Sequence, residues 1–188
     1  MQKPVVSIIM GSDSDLSIMM EAKKILDEYG VPSDVKILSA HRSPDDAATF
    51  AKSARKKGLK IIIAGAGAAA HLAGVVASHT TLPVIGVPME TKELKGVDSL
   101  FSTVQMPAGI PVATVAIGKA GAKNSAILAL EILGLTDKRI EKMLVAHKAA
   151  MVEGVREKND DPAFKRFVSY SRRGPAASKN IVSGGIKF

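Results

Sequence analysis

Short apolar runs alternate with stretches of helical spacing along most of the chain. Five of these runs predict strands, at residues 5–10, 35–38, 59–64, 83–87 and 113–117. Apolar side chains spaced every three or four positions predict helices between the strands. The first of these helices is indicated by Leu16, Met19, Ala22 and Leu26, and further helices are predicted at 97–104, 124–133 and 137–156. Strands that alternate with helices in this way are typical of an α/β protein with a parallel sheet.

We therefore predict a three-layer, flavodoxin-like α/β fold, in which a five-stranded parallel sheet is followed by a C-terminal helix and tail. The sequence contains no repeat and no interdomain linker. We predict one domain over residues 1–158, which includes the terminal helix, and a basic tail over 159–188. Ligands of such folds bind outside the carboxyl ends of the strands. Three polar or glycine-rich loops fall at this edge, at 11–15, 39–42 and 65–67.

The composition excludes several classes of protein. Of the 188 residues, 46% are hydrophobic and 23% are charged, which is ordinary for a globular protein. No apolar run approaches the roughly 20 residues of a membrane helix, and the first residues lack a signal-peptide pattern. We expect a cytoplasmic protein with no membrane partner. Cysteine is absent and the four histidines lack a zinc-like spacing, so we predict no metal site.

The net charge of +8 is concentrated at one end of the chain. Residues 160–188 hold six Lys and Arg against two Asp, which is half of the excess. Aromatic residues make up only 4% of the chain and Trp is absent, so a surface for stacking bases is not expected. We predict no nucleic-acid partner.

The most informative polar residues are the neighbours His41 and Arg42, in the sequence SAHR that starts at Ser39. They follow the second predicted strand. Histidine titrates near pH 6.5 and suits proton transfer, whereas the planar guanidinium of arginine suits a phosphate or a carboxylate. Side by side, the two residues offer a proton donor or acceptor and a fixed cation to one pocket.

The loop at 11–15 has the sequence GSDSD and opens the first predicted helix. Helix N-termini attract anions, and the hydroxyls of Ser12 and Ser14 can donate to phosphate oxygens. Asp15 is an acceptor and suits ribose hydroxyls better. The alternative is that Asp13, Ser14 or Asp15 only caps the helix. The neighbouring His41 and Arg42 favour the ligand-binding interpretation.

The third loop contains small residues. Residues 65–70, GAGAAA, match a dinucleotide-binding pattern formally, but they lie in the third βα unit instead of the first. The alternative is that Gly65, Ala66 and Gly67 form a wall against which a compact ligand packs. His71 follows this loop, and it either faces the pocket or only caps a helix or packs against its neighbours.

Six ordered motifs resemble the PurE family of purine biosynthesis. They are GSDSD at 11–15, SAHRSP at 39–44, AGAG at 64–67 with His71 and Leu72, GVP at 86–88, QMPAGIP at 105–111 and KAGAKN at 119–124. The resemblance covers about residues 5–155 and is closest to class I, the 5-(carboxyamino)imidazole ribonucleotide mutases. Two positions depart from the family, since Ala68 stands where a third glycine is frequent and Ala73 where proline is common.

The resemblance implies an isomerase that moves a carboxylate from an exocyclic amine to carbon 4 of an aminoimidazole ribonucleotide, without a cofactor. It implies His41 as the catalytic acid and base. The substrate-binding residues that it implies are Ser12, Asp15 and Arg42, and we predict Ser14, Ser39, Gly67 and His71 as further substrate-binding residues. It further implies a homo-octamer whose active sites are shared between subunits.

Two alternatives remain at this stage. Class II relatives carboxylate aminoimidazole ribonucleotide with free CO2, but they typically have His-Lys after Ser-Ala, so Arg42 and the 65–67 sequence favour class I. A non-catalytic nucleotide-binding module would need the phosphate loops but not His41.

Overall fold

A computed structural model describes residues 3–171 of the chain. Its sheet is five-stranded and entirely parallel, with the strand order β2-β1-β3-β4-β5. The strands are β1 (Val6–Met10), β2 (Ser33–Ile37), β3 (Ile61–Ala66), β4 (Val84–Pro88) and β5 (Ala113–Thr114). The predicted flavodoxin-like α/β fold is confirmed.

Seven α-helices accompany the sheet in the described part of the chain. They are α1 (Leu16–Glu28), α2 (Pro44–Ala54), α3 (Leu72–Ser78), α4 (Val97–Val104), α5 (Gly118–Gly134), α6 (Lys138–Asp160) and α7 (Pro162–Ser171). The chain divides into two compact units, residues 1–141 and residues from 142 onward. The first unit contains the whole sheet. The boundary predicted from composition at residue 158 stays a prediction.

Helices cover both faces of the sheet. Successive residues of each strand point to opposite sides, so each strand contributes buried side chains to both layers of contact. On one face, Ile62 and Ala64 of β3 pack in a buried cluster with Phe50 of α2 and Val76 of α3. On the other face, α1 packs against α5. Ile62 is fully buried, and burying such a side chain stabilises a fold by about 1.5–3 kcal/mol. The three layers hold the carboxyl ends of the strands in a fixed row.

Two predicted boundaries near the end of the first unit are wrong. β5 stops at Thr114 instead of 117, and α5 begins at Gly118 instead of Asn124. The early helix start depends on Gly121, which lies so close to Ala116 that an added Cβ would be 1.6 Å from the Ala116 carbonyl oxygen. Small residues therefore continue the helix where the sequence pattern indicated a loop.

The predicted basic tail, 159–188, begins differently from an irregular surface arm. Residues 162–171 form α7, and the Asp161 carboxylate accepts a hydrogen bond from the N–H of Ala163, 2.7 Å away. An acidic cap followed by proline at the first helical position is a strong start signal. The composition of the whole tail concealed this local signal. Residues 172–188, with four of the six basic side chains of the tail, lie outside the described residues.

Candidate active site

A cavity of about 510 Å³ opens at the carboxyl ends of β1, β2, β3 and β4. All eight site residues predicted from the sequence line it: Ser12, Ser14, Asp15, Ser39, His41, Arg42, Gly67 and His71. A cavity of similar volume, also about 510 Å³, lies near Val5 and Lys60, which precede strands. Volume therefore does not distinguish the two, and the chemistry of the lining residues does.

The two histidines of the cavity are in direct contact. His41 Nε2 lies 2.9 Å from His71 Nδ1, and the rings are nearly perpendicular, with an interplanar angle of 85°. His71 occupies the N-cap position of α3, yet its side chain makes no capping hydrogen bond. The capping alternative is therefore wrong for this residue, whose ring nitrogen is directed to His41 instead.

A hydrogen bond between two imidazole nitrogens requires one N–H and one lone pair. If both rings were protonated, Nε2 of His41 and Nδ1 of His71 would each carry a hydrogen and the contact would be lost. The hydrogen bond between His41 and His71 can therefore persist only while at least one of the two rings is neutral.

Arg42 is held between two loops. Its Nη2 donates to the Gly11 carbonyl oxygen at 2.6 Å, and its Nε donates to Ser39 Oγ at 3.5 Å. The backbone N–H of Arg42 also donates to Ser39 Oγ, at 3.1 Å. Ser43 Oγ accepts from the N–H of Ser39 and so closes the turn. A guanidinium has five N–H donors, and these side-chain contacts use two of them, so three are left for an anion.

The 11–15 loop forms a short 3₁₀ turn, Asp13–Asp15, ahead of α1. Ser12 Oγ caps it by accepting from the N–H of Ser14 at 3.3 Å, whereas Asp15, at the N-cap of α1, makes no side-chain capping bond. Capping therefore explains Ser12 but not the Asp15 carboxylate. Burial raises the pKa of Asp15, the hydrogen bond from Ser14 Oγ at 3.2 Å opposes this, and the nearby Asp13 charge raises it further.

The small-residue loop has two roles. Ala66, Gly67, Ala68 and Ala69 line the cavity, but Gly65 does not. An added Cβ at Gly65 would lie 2.6 Å from both Met19 Sδ and Met89 Cε. The expectation that Gly65 forms part of the wall facing a ligand is wrong, because this glycine is required for packing beneath the loop.

Ala68 has a positive φ of 55°, a conformation that L-residues with a side chain rarely adopt. Ser99 Oγ accepts a hydrogen bond from its N–H at 2.8 Å, and Ser102 Oγ donates to its carbonyl oxygen at 3.3 Å. Two tight turns follow, from Ala70 N–H to the Ala68 oxygen and from His71 N–H to the Ala69 oxygen. These bonds place His71 beside His41.

One part of the cavity was missed from the sequence. Residues 89–93 also line it, among them Glu90, Lys92 and Glu93. They follow β4 directly, so the rule that placed the other three loops at this edge predicts them as well. The segment 89–93 was not predicted as part of the site because it contains neither glycine nor histidine, the residue types that drew attention to the other three loops.

Residues 3–171 lack two further features, a metal-binding group and a membrane-spanning helix. This part of the chain brings together no group of three His, Cys, Asp or Glu side chains that could hold a metal ion. Nor does it contain a helix with the length and hydropathy to cross a bilayer.

Comparison with known proteins decides the family. Residues 5–154 match the family model described as AIR carboxylase. The chain belongs to the AIR carboxylase family. A relative from Pyrococcus horikoshii, named N5-carboxyaminoimidazole ribonucleotide mutase, is 53% identical over 171 residues, which cover 89% of this chain and 96% of the relative.

Other AIR carboxylase family members agree with this assignment. A Bacillus subtilis protein with the same mutase name is 52% identical over 158 residues, covering 84% of this chain and 98% of its own length. Among solved structures, that of Treponema denticola PurE superposes with a TM-score of 0.74 at 28% identity, covering 84% of this chain and 97% of that one. The fold is thus that of the family.

Proposed function

We propose that this chain is an N5-carboxyaminoimidazole ribonucleotide mutase. The reaction moves the carboxylate of 5-(carboxyamino)imidazole ribonucleotide from the exocyclic nitrogen to ring carbon 4. The observation that carries the proposal is the 2.9 Å contact between His41 and His71 in a cavity that also contains Arg42. The relatives from P. horikoshii and B. subtilis bear the mutase name.

Substrate binding divides among the loops by chemistry. Arg42 and Ser12 supply donors to the phosphate, because a guanidinium and a hydroxyl at the start of a helix suit that anion. Asp15 accepts from a ribose hydroxyl. The raised pKa of Asp15 reflects partial burial of its carboxyl, and a hydroxyl donor from the ligand would stabilise the charged form. Ser14 orients Asp15, and Ser39 orients Arg42.

His41 carries both proton transfers. In the first step the N–C bond of the carbamate breaks, CO2 leaves and protonated His41 gives its proton to the amine nitrogen. In the second step carbon 4 attacks CO2, a C–C bond forms, and neutral His41 removes the proton from carbon 4. The proton count balances, so the reaction is an isomerisation that requires no cofactor. A group with a pKa near neutral pH suits both steps.

His71 holds the acid in place before the ligand arrives. It occupies the hydrogen-bonding position on His41 Nε2, so a substrate nitrogen that takes a proton from Nε2 must displace it. The small residues 66–69 line the cavity and leave room for CO2 beside the ring. Retention of CO2 matters because its escape would leave aminoimidazole ribonucleotide as a side product.

Two assays separate the proposal from its alternatives. The mutase converts 5-(carboxyamino)imidazole ribonucleotide to the 4-carboxy product without added bicarbonate. A class II carboxylase instead requires aminoimidazole ribonucleotide and CO2, and a non-catalytic module converts neither compound. Rapid conversion of the carbamate in bicarbonate-depleted buffer supports the mutase, and turnover that depends on added bicarbonate contradicts it.

We also propose a homo-octamer in the cytoplasm, with active sites completed by neighbouring subunits. In the first unit, exposed apolar side chains lie on and beside α4, namely Leu94, Val97, Phe101 and Val104. In the second unit, α6 exposes Met151, Val152 and Val155. Exposed apolar patches of this kind mark interfaces more often than free surface. Light scattering that gave the 19.7 kDa mass of one chain would contradict an assembly.

A further inference from the structure

The cavity contains a second cation, Lys92, to which no role has yet been given. Lys92 lies after β4, whereas Arg42 lies after β2. Three strand spacings separate β2 from β4 in the sheet order, which at about 4.8 Å per spacing amounts to roughly 14 Å. The two cations therefore start from opposite sides of the loop that contains Gly67 and His71.

The ligand of the proposed mutase has two anions, also at opposite ends. Its phosphate is on the 5′ carbon of ribose and its carboxylate is on the imidazole end. Arg42 and Ser12 account for the phosphate near β2 and β1, and the ring then lies over the β3 loop. The carboxylate is thereby directed toward β4.

We propose that Lys92 binds the carboxylate of the ribonucleotide and orients it beside carbon 4. This inference rests on the mutase function proposed above. An ammonium group at the end of a flexible four-carbon chain can follow the carboxylate as it moves from nitrogen to carbon.

The surroundings of Lys92 fit this role. Thr91 Oγ1 donates to Asp98 Oδ1 at 2.8 Å and accepts from the N–H of Gly96 at 3.0 Å, which fixes the backbone next to Lys92. Among the residues that the structure describes, no carboxylate forms an ion pair with Lys92. Glu90 and Glu93 are the other charged groups on this side of the cavity. Without Lys92, the β4 side would present only negative charge to an anionic ligand.

The test compares two ligands that differ by the carboxylate alone. Lys92→Met and Lys92→Arg are titrated calorimetrically with 4-carboxy-5-aminoimidazole ribonucleotide and with 5-aminoimidazole ribonucleotide. Lys95→Met is the matched control, because Lys95 belongs to the same exposed loop but does not line the cavity. Lys92→Met should weaken binding of the carboxylated ligand about fivefold, the upper range for an exposed ion pair.

The uncarboxylated ligand should bind Lys92→Met as tightly as it binds the wild type. Lys92→Arg should restore most of the lost affinity for the carboxylated ligand. Lys95→Met should change the affinity for neither ligand. Equal weakening of both ligands would place Lys92 at the phosphate or ribose and overturn the proposal, as would unchanged binding of both. Wild-type turnover is measured separately: its absence would refute the mutase function, whereas an active wild type with an indifferent Lys92 refutes only this inference. Lys92→Gln is a second neutral variant should Lys92→Met fold poorly.

Discussion

Ser99, which is fully buried, holds Ala68 in a left-handed conformation through a 2.8 Å hydrogen bond from the Ala68 N–H to the Ser99 hydroxyl. The φ of Ala68 is 55°. A left-handed conformation costs a residue with a side chain about 1–2 kcal/mol, so the loop needs such a tether to keep its shape. The α4 helix, on which Ser99 lies, thus supports the wall of the cavity from behind.

Ser99→Ala should lower the free energy of unfolding by about 1 kcal/mol and raise KM, because the Ala68 N–H loses its acceptor and the loop relaxes. Ser125→Ala is the matched control, since Ser125 is equally buried but donates within α5, to the Ala122 oxygen. It should affect stability alone. In an Ala68→Gly background, Ser99→Ala should raise KM by a smaller factor, because glycine adopts a positive φ at little energetic cost. Equal effects on KM in both backgrounds would contradict the tether.

His41→Asn should reduce kcat by about 10²–10⁴-fold or more, because asparagine hydrogen-bonds but cannot transfer a proton near neutral pH. His71→Asn should reduce kcat less, since His71 orients His41 and the ligand. His79→Asn is the control, as His79 is exposed at the end of α3 and does not line the cavity. Steady-state turnover and calorimetric binding of the product measure the three variants. If His41→Asn kept more than about a tenth of wild-type turnover, the assignment of the proton transfers would be wrong.

Arg42→Ala should raise KM by about 10- to 150-fold, equivalent to the loss of a charge-assisted contact of about 1.5–3 kcal/mol. Arg55→Ala serves as control, because Arg55 is also an exposed arginine with two hydrogen bonds, both to Thr81, far from the cavity lining. Thermal unfolding of both variants separates binding from stability. An unchanged KM in Arg42→Ala would remove Arg42 from the phosphate site.

Asp15→Asn should stabilise the free protein at pH 7. Burial is the main cause that raises the pKa of Asp15 in the folded protein above its ordinary value of 3.8. Ionisation of Asp15 therefore opposes folding at pH values above 3.8. The increase in the free energy of unfolding caused by Asp15→Asn should therefore shrink as the pH falls through the folded pKa, because the wild-type carboxyl becomes protonated there. The same substitution should weaken ligand binding. Urea unfolding at several pH values tests this, and a gain that persisted below pH 3.8 would refute the cause assigned here.

Glu21 provides a contrast of opposite sign. A hydrogen bond from Lys24, and the charges of Lys119 and Lys123, hold the pKa of Glu21 below 4.5. Its charge therefore favours folding above that pH, and the contribution is lost as the pH falls through the lowered folded value. Glu21→Gln should destabilise the protein at pH 7 under the conditions that stabilise Asp15→Asn.

Deletion of residues 160–188 should leave kcat and KM unchanged. The family match ends at residue 154, before this segment begins. Turnover and light scattering of the truncated chain measure both activity and assembly. A loss of either would assign α7, with its exposed Phe164 and Phe167, to contacts within the assembly.

The strands and the site loops could be predicted because both depend on local signals. Apolar runs such as Ile61 to Ile63 are buried on both faces and can form little else. Parallel strands then bring their carboxyl ends to one edge, so the sequence alone places His41 near His71. The His41–His71 contact itself was not predictable, because it depends on the tight turns at Ala68 and Ala69.

The remaining errors come from close contacts that depend on a single small residue. The role of Gly65 is set by Met19 and Met89, which lie 46 and 24 positions away in sequence. Early initiation of α5 depends on the close approach of Gly121 to Ala116. Such contacts leave no periodic trace in the sequence, since they require one small residue at one place.

The strand order β2-β1-β3-β4 also bears on how such a protein can evolve. Each βα loop at the cavity lies between its own strand and its own helix, and its neighbours in space are loops distant in sequence. A mutation in one loop can therefore alter contacts to one part of a ligand while the helices behind the others stay packed. Binding of a new ligand can be acquired piecewise, by changing one loop at a time while the sheet and helices stay unchanged.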